Sequence, residues 1–121
     1  QLFFDINRLI QDNSVLVIAV PNVNAPERKW FRENWAPWDA PRHLYHFDYV
    51  QLSGLLIKYG WKIQYSKAML QDTPYNILLS LKSKSIIHII YATLILIYSM
   101  FRIAIGGVNS SSSFMAICKK D

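Results

Sequence analysis

The feature that most constrains the fold of this chain is an unbroken apolar run at residues 15–20, rich in β-branched side chains. A run of this kind, without polar alternation, is typical of a strand that is buried on both faces of a parallel sheet. Three turn-forming residues precede it, and Pro21, which cannot donate a ladder hydrogen bond, follows it. The run therefore predicts a buried strand that ends at Pro21.

Helical and extended patterns flank this strand on both sides. A helix with one apolar face is predicted at the start of the chain by Leu2, Phe3, Ile6, Leu9 and Ile10. A second helix is predicted between its N-cap, Asp48, and the glycine at its end, Gly60. Residues 61–66 alternate apolar and polar side chains and predict a strand, and residues 114–118 predict a short final strand. This order predicts an α/β fold, in which ligands bind at the carboxyl ends of the strands.

A long loop or short-helix region at residues 23–41 follows the first predicted strand and carries three Trp and one Phe. Loops in compact domains are usually shorter and more polar, and a longer one is often functional. The rings form either the rigid walls of a substrate pocket or a simple cover over the edge of the sheet.

Residues 74–107 predict a helical, strongly hydrophobic insertion within one domain that spans residues 1–121. As a helix, its central segment at residues 86–105 is long enough to cross the roughly 30 Å core of a bilayer. His88 and Arg102 lie inside that segment, and ionisable groups are costly in lipid. We therefore favour a buried or dimer-forming helix. The second interpretation is a helix that lies in the membrane interface, and the third is a helix that spans the membrane.

Charge and cysteine content narrow the classes of function. The net charge is +5, but the basic residues are scattered without a dense run, so nucleic-acid binding is not expected. The single cysteine, Cys118, lies in an apolar stretch and is predicted to be a small core residue. We expect a cytoplasmic protein, with membrane association left open by residues 86–105. The four serines at residues 110–113 predict a flexible linker.

Two segments carry a resemblance to a known family: SVLVIAVPN at residues 14–22 and WAPWDAPRHLYHF at residues 35–47. With the helix, the glycine and the strand WKIQYS that follow, they resemble the C-terminal half of the class I S-adenosylmethionine-dependent methyltransferases. The resemblance implies a Rossmann-like sheet with flanking helices and a helical insertion before the last strand. It also implies that FMAICKK, at residues 114–120, is similar to the family's last strand, which runs antiparallel between the fifth and sixth strands.

The same resemblance implies S-adenosylmethionine as the cofactor of the parent protein. The family's glycine-rich loop after its first strand has no counterpart in this chain, and neither does the acidic residue that holds the cofactor ribose. The adjacent glycines Gly106 and Gly107 lie far from any predicted turn between a strand and a helix. We therefore expect no cofactor-binding residue here, and an inactive fragment when the chain is taken by itself.

The resemblance also implies residues on the acceptor side of the site. His43 is predicted to be the catalytic base, because imidazole exchanges a proton near neutral pH. Asn22, Trp35, Arg42 and His46 are predicted to bind a small-molecule or lipid-like methyl acceptor. Arg42 would orient an acidic or phosphate-bearing acceptor through a bidentate contact. The alternative is that Arg42 and His43 only pin the loop through hydrogen bonds. No metal is predicted, because no cysteine pair joins His43 and His46 as zinc ligands.

Two expectations concern partners. The first predicted strand has an open apolar edge, and such edges seek a partner, so we expect a homodimer formed across that edge or through residues 86–105. The competing interpretation of the whole chain is a non-enzymatic module. In that case residues 86–105 would bind a membrane surface or a partner chain.

Overall fold

The computed structural model describes residues 2–11 and 13–120. Within that part the chain is mixed α/β, as predicted, with five α-helices and three strands. In chain order they are α1 (Leu2–Leu9), β1 (Val15–Pro21), α2 (Arg28–Phe31), α3 (Tyr49–Lys58), β2 (Trp61–Ala68), α4 (Asp72–Leu79), α5 (Ile86–Gly106) and β3 (Ser113–Lys120). Short 3-10 turns follow α2 and α5.

The three strands form one sheet in the order β1-β3-β2. The last strand, β3, lies in the centre and runs antiparallel to both neighbours, so β1 and β2 point in the same direction. Ala116 of β3, for example, stands opposite Ile18 on one side and Ser66 on the other. The expected position of the final strand between the other two is therefore confirmed.

Helices α1 and α3 cover one face of this sheet. The core of that layer is formed by fully buried side chains of α3 and the strands, namely Leu52, Leu56, Trp61, Phe114, Ala116 and Cys118. Phe3, Ile6 and Ile10 of the first predicted helical segment pack against it, whereas Leu2 and Leu9 of the same predicted apolar face are 68% and 85% exposed. Cys118 is thus a small core residue, as expected, and burial raises the pKa of its thiol.

Strand β1 differs from the prediction that both of its faces are buried. Its side chains alternate along the strand, and Val15 and Val17 are 51% and 56% exposed. Within the described residues β1 pairs only with β3, and α1 and α3 cover only one face of the sheet. Strand β1 therefore has a free edge and a face that no helix of the described chain covers.

Helix α3 follows its local signals closely. The carboxylate of Asp48 accepts a hydrogen bond from the Gln51 backbone N–H at 2.7 Å, and the Gln51 side chain accepts one from the Asp48 N–H at 3.1 Å. This reciprocal pair satisfies two donors that a helix start otherwise leaves open. Gly60 ends the helical segment with a φ of +80°, a conformation that glycine adopts without strain.

A second buried cluster joins the long loop to α4 and α5. Its members come from three separate parts of the chain and are Ala25, Phe31, Trp35, Ile77, Ala92 and Ile95. The Ser80 hydroxyl at the end of α4 reinforces this junction, because it accepts a hydrogen bond from the Ala36 backbone N–H at 2.8 Å. The loop is therefore held against the helices rather than free in solvent.

The four serines at residues 110–113 are not a flexible linker. Each is at most 7% exposed, and together they form the packed entry into β3. The Ser112 hydroxyl accepts a hydrogen bond from the Asn76 side-chain amide at 2.7 Å, and the Ser111 hydroxyl donates one to the Val108 carbonyl at 2.9 Å. Small side chains with satisfied hydroxyls can be buried at little cost, which is why this polar run is ordered.

Helix α5 is mostly exposed in this chain, so residues 86–105 are not buried within the chain itself, and the dimer-forming alternative stays a prediction. Four side chains along it are buried, Ala92, Ile95, Ser99 and Ile103. The segment Ile86–Ser110 is long and apolar enough to cross a membrane, and only 17% of its most apolar window is buried. Both a soluble and a membrane-associated chain are compatible with this finding.

Candidate functional site

A cavity of about 290 Å³ lies at the carboxyl ends of β1 and β2. Pro21, Met69 and Ser113 form its sheet side, where β1 and β2 end and β3 begins. The long loop contributes Asp39, Arg42 and His43 to one wall, and α4 contributes the opposite wall with Asp72, Tyr75, Asn76 and Leu79. This is the end of the sheet at which α/β folds bind ligands.

The loop that supplies the first wall has a fixed course. The indole N–H of Trp38 donates a hydrogen bond to the Arg32 carbonyl at 2.8 Å, and the Arg28 guanidinium lies 6.0 Å from the centre of the Trp38 ring. Farther along, the Val23 backbone N–H donates to the Phe47 carbonyl at 3.1 Å, which joins the two ends of the loop. The contacts of Trp38 and the backbone hydrogen bond of Val23 therefore hold this segment in place.

Of the predicted site residues, the cavity brings together Arg42 and His43. The Arg42 guanidinium forms an exposed ion pair with the Asp39 carboxylate at 3.1 Å. The His43 backbone N–H donates to the Asp39 carbonyl at 2.9 Å, which sets the position of the imidazole ring. The Nδ1 atom of His43 is buried and has no hydrogen-bond partner within residues 2–11 and 13–120. The described residues therefore leave one ring nitrogen of His43 unsatisfied.

The other three predicted site residues do not line the cavity. Asn22 is fully buried, and its side-chain amide donates to the Val108 carbonyl at 3.0 Å while its oxygen accepts from the Asn24 N–H. Trp35 is 1% exposed and packs edge-on against Trp38. The Nε2 atom of His46 lies 2.8 Å from the Pro37 carbonyl oxygen. These three residues support the loop that carries Arg42 and His43.

Metal binding has little support in this geometry. The ring centres of His43 and His46 are 6.3 Å apart, and His46 is engaged with the loop backbone. The described part of the chain contains no group of three or more His, Cys, Asp or Glu side chains that could hold an ion. We therefore assign no metal ligand.

Sequence reasoning missed the contribution of α4. Asp72, Tyr75 and Asn76 reach the cavity because α4 begins directly after β2 ends, next to the end of β1. The turn at Asp72 and Pro74 marks the start of this helix, but nothing local indicates which side of it faces the cavity. The two carboxylates of Asp39 and Asp72 also make the cavity less cationic than Arg42 by itself would suggest.

Glu27 is a second residue without a sequence signal. Its side chain is fully buried between the loop and α5, where the Ser99 hydroxyl lies 3.5 Å from Oε2. The Oε1 atom has no partner of good hydrogen-bond geometry among the described residues. Burial raises the pKa of this carboxyl above its ordinary value of 4.5, although contacts with Ser112, Trp35 and Ser99 lower it in part.

This burial predicts an unusual pH dependence of stability. Because the folded chain holds the Glu27 proton more tightly than the unfolded chain, the stabilisation is complete below pH 4.5 and is lost as the pH rises through the raised pKa. We expect Glu27→Gln to abolish that loss and to raise the free energy of unfolding at pH 8 by about 1–3 kcal/mol. Urea unfolding at a series of pH values measures this difference.

The control for this prediction is Glu33→Gln, which neutralises an exposed carboxylate on the same loop. Its free energy of unfolding should follow that of the unmodified chain at every pH, within about 0.5 kcal/mol. If Glu27→Gln and the unmodified chain gave parallel curves, Glu27 would carry no raised pKa.

An apolar groove of about 770 Å³ lies on the other side of β1. It is bounded by α1, by β1 and by α3, and its walls include Phe3, Ile6, Leu16, Ile18, Leu55 and Tyr59. The groove runs beside the free edge of β1. An open strand edge and an uncovered apolar groove therefore lie side by side.

Comparisons of this chain with models of protein families, with curated proteins and with solved structures found no match. Three features of the chain itself bear on its function. They are the cavity with Arg42 and His43, the free edge of β1 beside the apolar groove, and the exposed helix α5.

Proposed function

We propose that this chain is the C-terminal, acceptor-side half of a class I S-adenosylmethionine-dependent methyltransferase domain. The observation that carries the proposal is the strand order, with antiparallel β3 in the centre of β1 and β2. That order agrees with the one implied by the resemblance of residues 14–22, 35–47 and 114–120. An antiparallel strand inserted between two strands that run in the same direction is a specific arrangement, because sequential strands usually lie side by side.

The open side of β1 supports the same proposal. In a doubly wound sheet, a parallel strand would pair with the free edge of β1, and helices would cover the face that exposes Val15 and Val17. The apolar groove beside α1 would also be covered. We assign all three surfaces to the cofactor-binding half of the domain.

The residues of this chain do not themselves fit S-adenosylmethionine. Its four glycines are Gly54, Gly60, Gly106 and Gly107. Gly54 lies inside α3, Gly60 between a helix and a strand, and the last two at the end of α5. None forms a turn from a strand into a helix, where a backbone cradle for the cofactor would be expected. We therefore assign the cofactor to the proposed cofactor-binding half of the domain.

This chain's own contribution is the acceptor side. The cavity is large enough for a small polar group or for the head of a lipid-like molecule. His43 would accept the proton of an acceptor hydroxyl or amine, and Arg42 with Asp39 would orient polar substituents near it. Because Asp39 already pairs with Arg42, a neutral or cationic acceptor is favoured over a phosphate.

Calorimetric titration of S-adenosylmethionine and S-adenosylhomocysteine tests the proposal. One cell holds this chain, and the other holds a version of it extended upstream of Gln1. Heat of binding with the longer polypeptide and none with this chain would support the half-domain assignment. Absence of binding to both would contradict it and would favour a non-enzymatic module.

The homodimer stays a proposal with a simple test. If the free edge of β1 pairs with a second copy, light scattering at micromolar concentration will give twice the chain mass of 14.1 kDa. Lys in place of Val17, on the exposed face of that strand, should leave the mass of a β1-paired dimer unchanged or reduce it. A monomer for the unmodified chain would exclude the dimer.

A further inference from the structure

One side of α5 is held against the domain along about half of its length. The buried side chains Ala92, Ile95, Ser99 and Ile103 recur every three or four residues. They span about 16 Å of helix at 1.5 Å per residue. Ser99 faces the buried Glu27 carboxylate, and Tyr98 packs edge-on against Trp30 of α2 with ring centres 5.0 Å apart. The helix is therefore docked lengthwise on the domain.

The opposite side of α5 is an apolar stripe without a partner in the described chain. Six side chains with the same helical spacing are each between 56% and 74% exposed: Ile87, Ile90, Leu94, Ile97, Phe101 and Ile105. We call this set the α5 stripe. Soluble monomers rarely expose a contiguous apolar surface of this size, so the α5 stripe indicates an interaction surface.

The sequence segment that contains α5 carries formal charges of a single sign. Between Thr73 and Lys120 the sequence contains no Asp or Glu, while basic residues occur at Lys82, Lys84, Arg102, Lys119 and Lys120. Lys82 and Lys84 are exposed directly before the first turn of α5. The Arg102 guanidinium is also exposed and donates to the Tyr98 hydroxyl at 3.1 Å. The partner of this surface should therefore be apolar in its interior and anionic at its boundary.

A second copy of the chain fits this pattern poorly. Pairing of two α5 stripes would bring Lys82, Lys84 and Arg102 of both copies into one interface, and this segment has no carboxylate to neutralise them. A membrane span also fits poorly, because lipid would have to replace the packing of Ile95, Ser99 and Ile103 against the domain. An anionic bilayer surface meets both requirements, since it offers acyl chains beneath phosphate and carboxylate headgroups.

We propose that α5 lies in the plane of an anionic lipid bilayer surface, with the α5 stripe inserted at the boundary between headgroups and acyl chains. Lys82 and Lys84 contact the headgroups at one end of the helix, and Arg102 reaches them from its flank. The domain itself covers the remaining side of α5. The proposal does not rest on the methyltransferase assignment, because it uses only the exposure and charge of residues 82–105.

Flotation with lipid vesicles tests this proposal on the full chain. We expect the chain to float with vesicles of phosphatidylcholine and phosphatidylserine, and far less with phosphatidylcholine only. Ile97→Glu should lower the partition coefficient by about tenfold or more, because it replaces an apolar side chain that would insert into the bilayer with a charged one. The matched control is Ile57→Glu on α3, since Ile57 and Ile97 are 63% and 62% exposed. That control should float like the unmodified chain.

The lysines provide an independent arm. Lys82→Gln and Lys84→Gln should each reduce binding to the phosphatidylserine vesicles by about fivefold, and salt should reduce it further. Circular dichroism of every variant checks that it is folded. Equal flotation of the Ile57 and Ile97 variants would overturn the proposal. A dimer that dissociates on Ile97→Glu, without flotation, would assign the stripe to a second copy, and flotation that resists an alkaline carbonate wash would indicate a span.

Discussion

Replacement of Trp61 by alanine is expected to lower the free energy of unfolding by about 3–5 kcal/mol, the range for removal of a buried large aromatic side chain. Trp61 is 1% exposed and begins β2. Its indole N–H donates to the Asn7 side-chain oxygen at 2.9 Å, and the Asn7 amide in turn donates to the Tyr59 carbonyl at 3.0 Å. The change therefore removes core packing and one of the two hydrogen bonds through which the Asn7 side chain holds α1 on the domain. Urea unfolding followed by circular dichroism measures the loss.

Trp30→Ala is the matched control for this prediction. Trp30 is 39% exposed and makes an edge-on contact with Tyr98, so its removal should cost only about 0.5–1.5 kcal/mol. Trp61→Phe separates the contribution of packing from that of the hydrogen bond. It keeps an aromatic ring but removes the N–H that donates to the Asn7 side-chain oxygen. It should cost about 1–3 kcal/mol, since the Asn7 oxygen is left without its donor. Equal losses for Trp61→Ala and Trp30→Ala would show that α1 and β2 do not form the main core.

The elements of this fold that could be predicted are those with local signals. Asp48 and Gly60 mark the ends of α3, because an N-cap carboxylate and a glycine with positive φ act within a few residues of themselves. Pro21 closes β1 for an equally local reason. The central position of β3 was implied only by the resemblance, since nothing in residues 114–118 specifies which strands they pair with.

The features that could not be predicted depend on distant partners. Four consecutive serines at residues 110–113 predict a linker. The Ser112 hydroxyl, however, accepts a hydrogen bond from Asn76, which lies 36 residues away in the sequence. Glu27 is buried because α5 brings Ser99 to it across 72 residues. The candidate site depends on distant partners too. Arg42 and His43 line a cavity because α4 forms its opposite wall. Trp35 and Asn22 are instead buried in the core. The exposure of α5 likewise depends on which neighbours the fold leaves beside it.

His43→Gln is expected to reduce the rate of methyl transfer by about 10²–10⁴-fold, the usual contribution of a general base. The prediction rests on the proposed function, and its assay needs a polypeptide extended upstream of Gln1 that binds S-adenosylmethionine in the calorimetric test above. Glutamine keeps a polar side chain of similar reach but cannot take up the acceptor's proton. The backbone hydrogen bond from residue 43 to the Asp39 carbonyl is retained, so the loop should keep its course. Transfer of a radiolabelled methyl group to fractionated small-molecule and lipid extracts measures the rate.

Two comparisons separate catalysis from support of the loop. His88→Gln alters an exposed histidine on α5, outside the cavity, and should leave the rate unchanged. If His43 only pins the loop, its replacement will lower the unfolding midpoint and raise KM while kcat stays nearly constant. If His43 is the base, kcat will fall while the unfolding midpoint and the affinity for S-adenosylhomocysteine are preserved. The buried, unpartnered Nδ1 of His43 favours the second result, because a ring held only for support would be expected to use that nitrogen in a hydrogen bond.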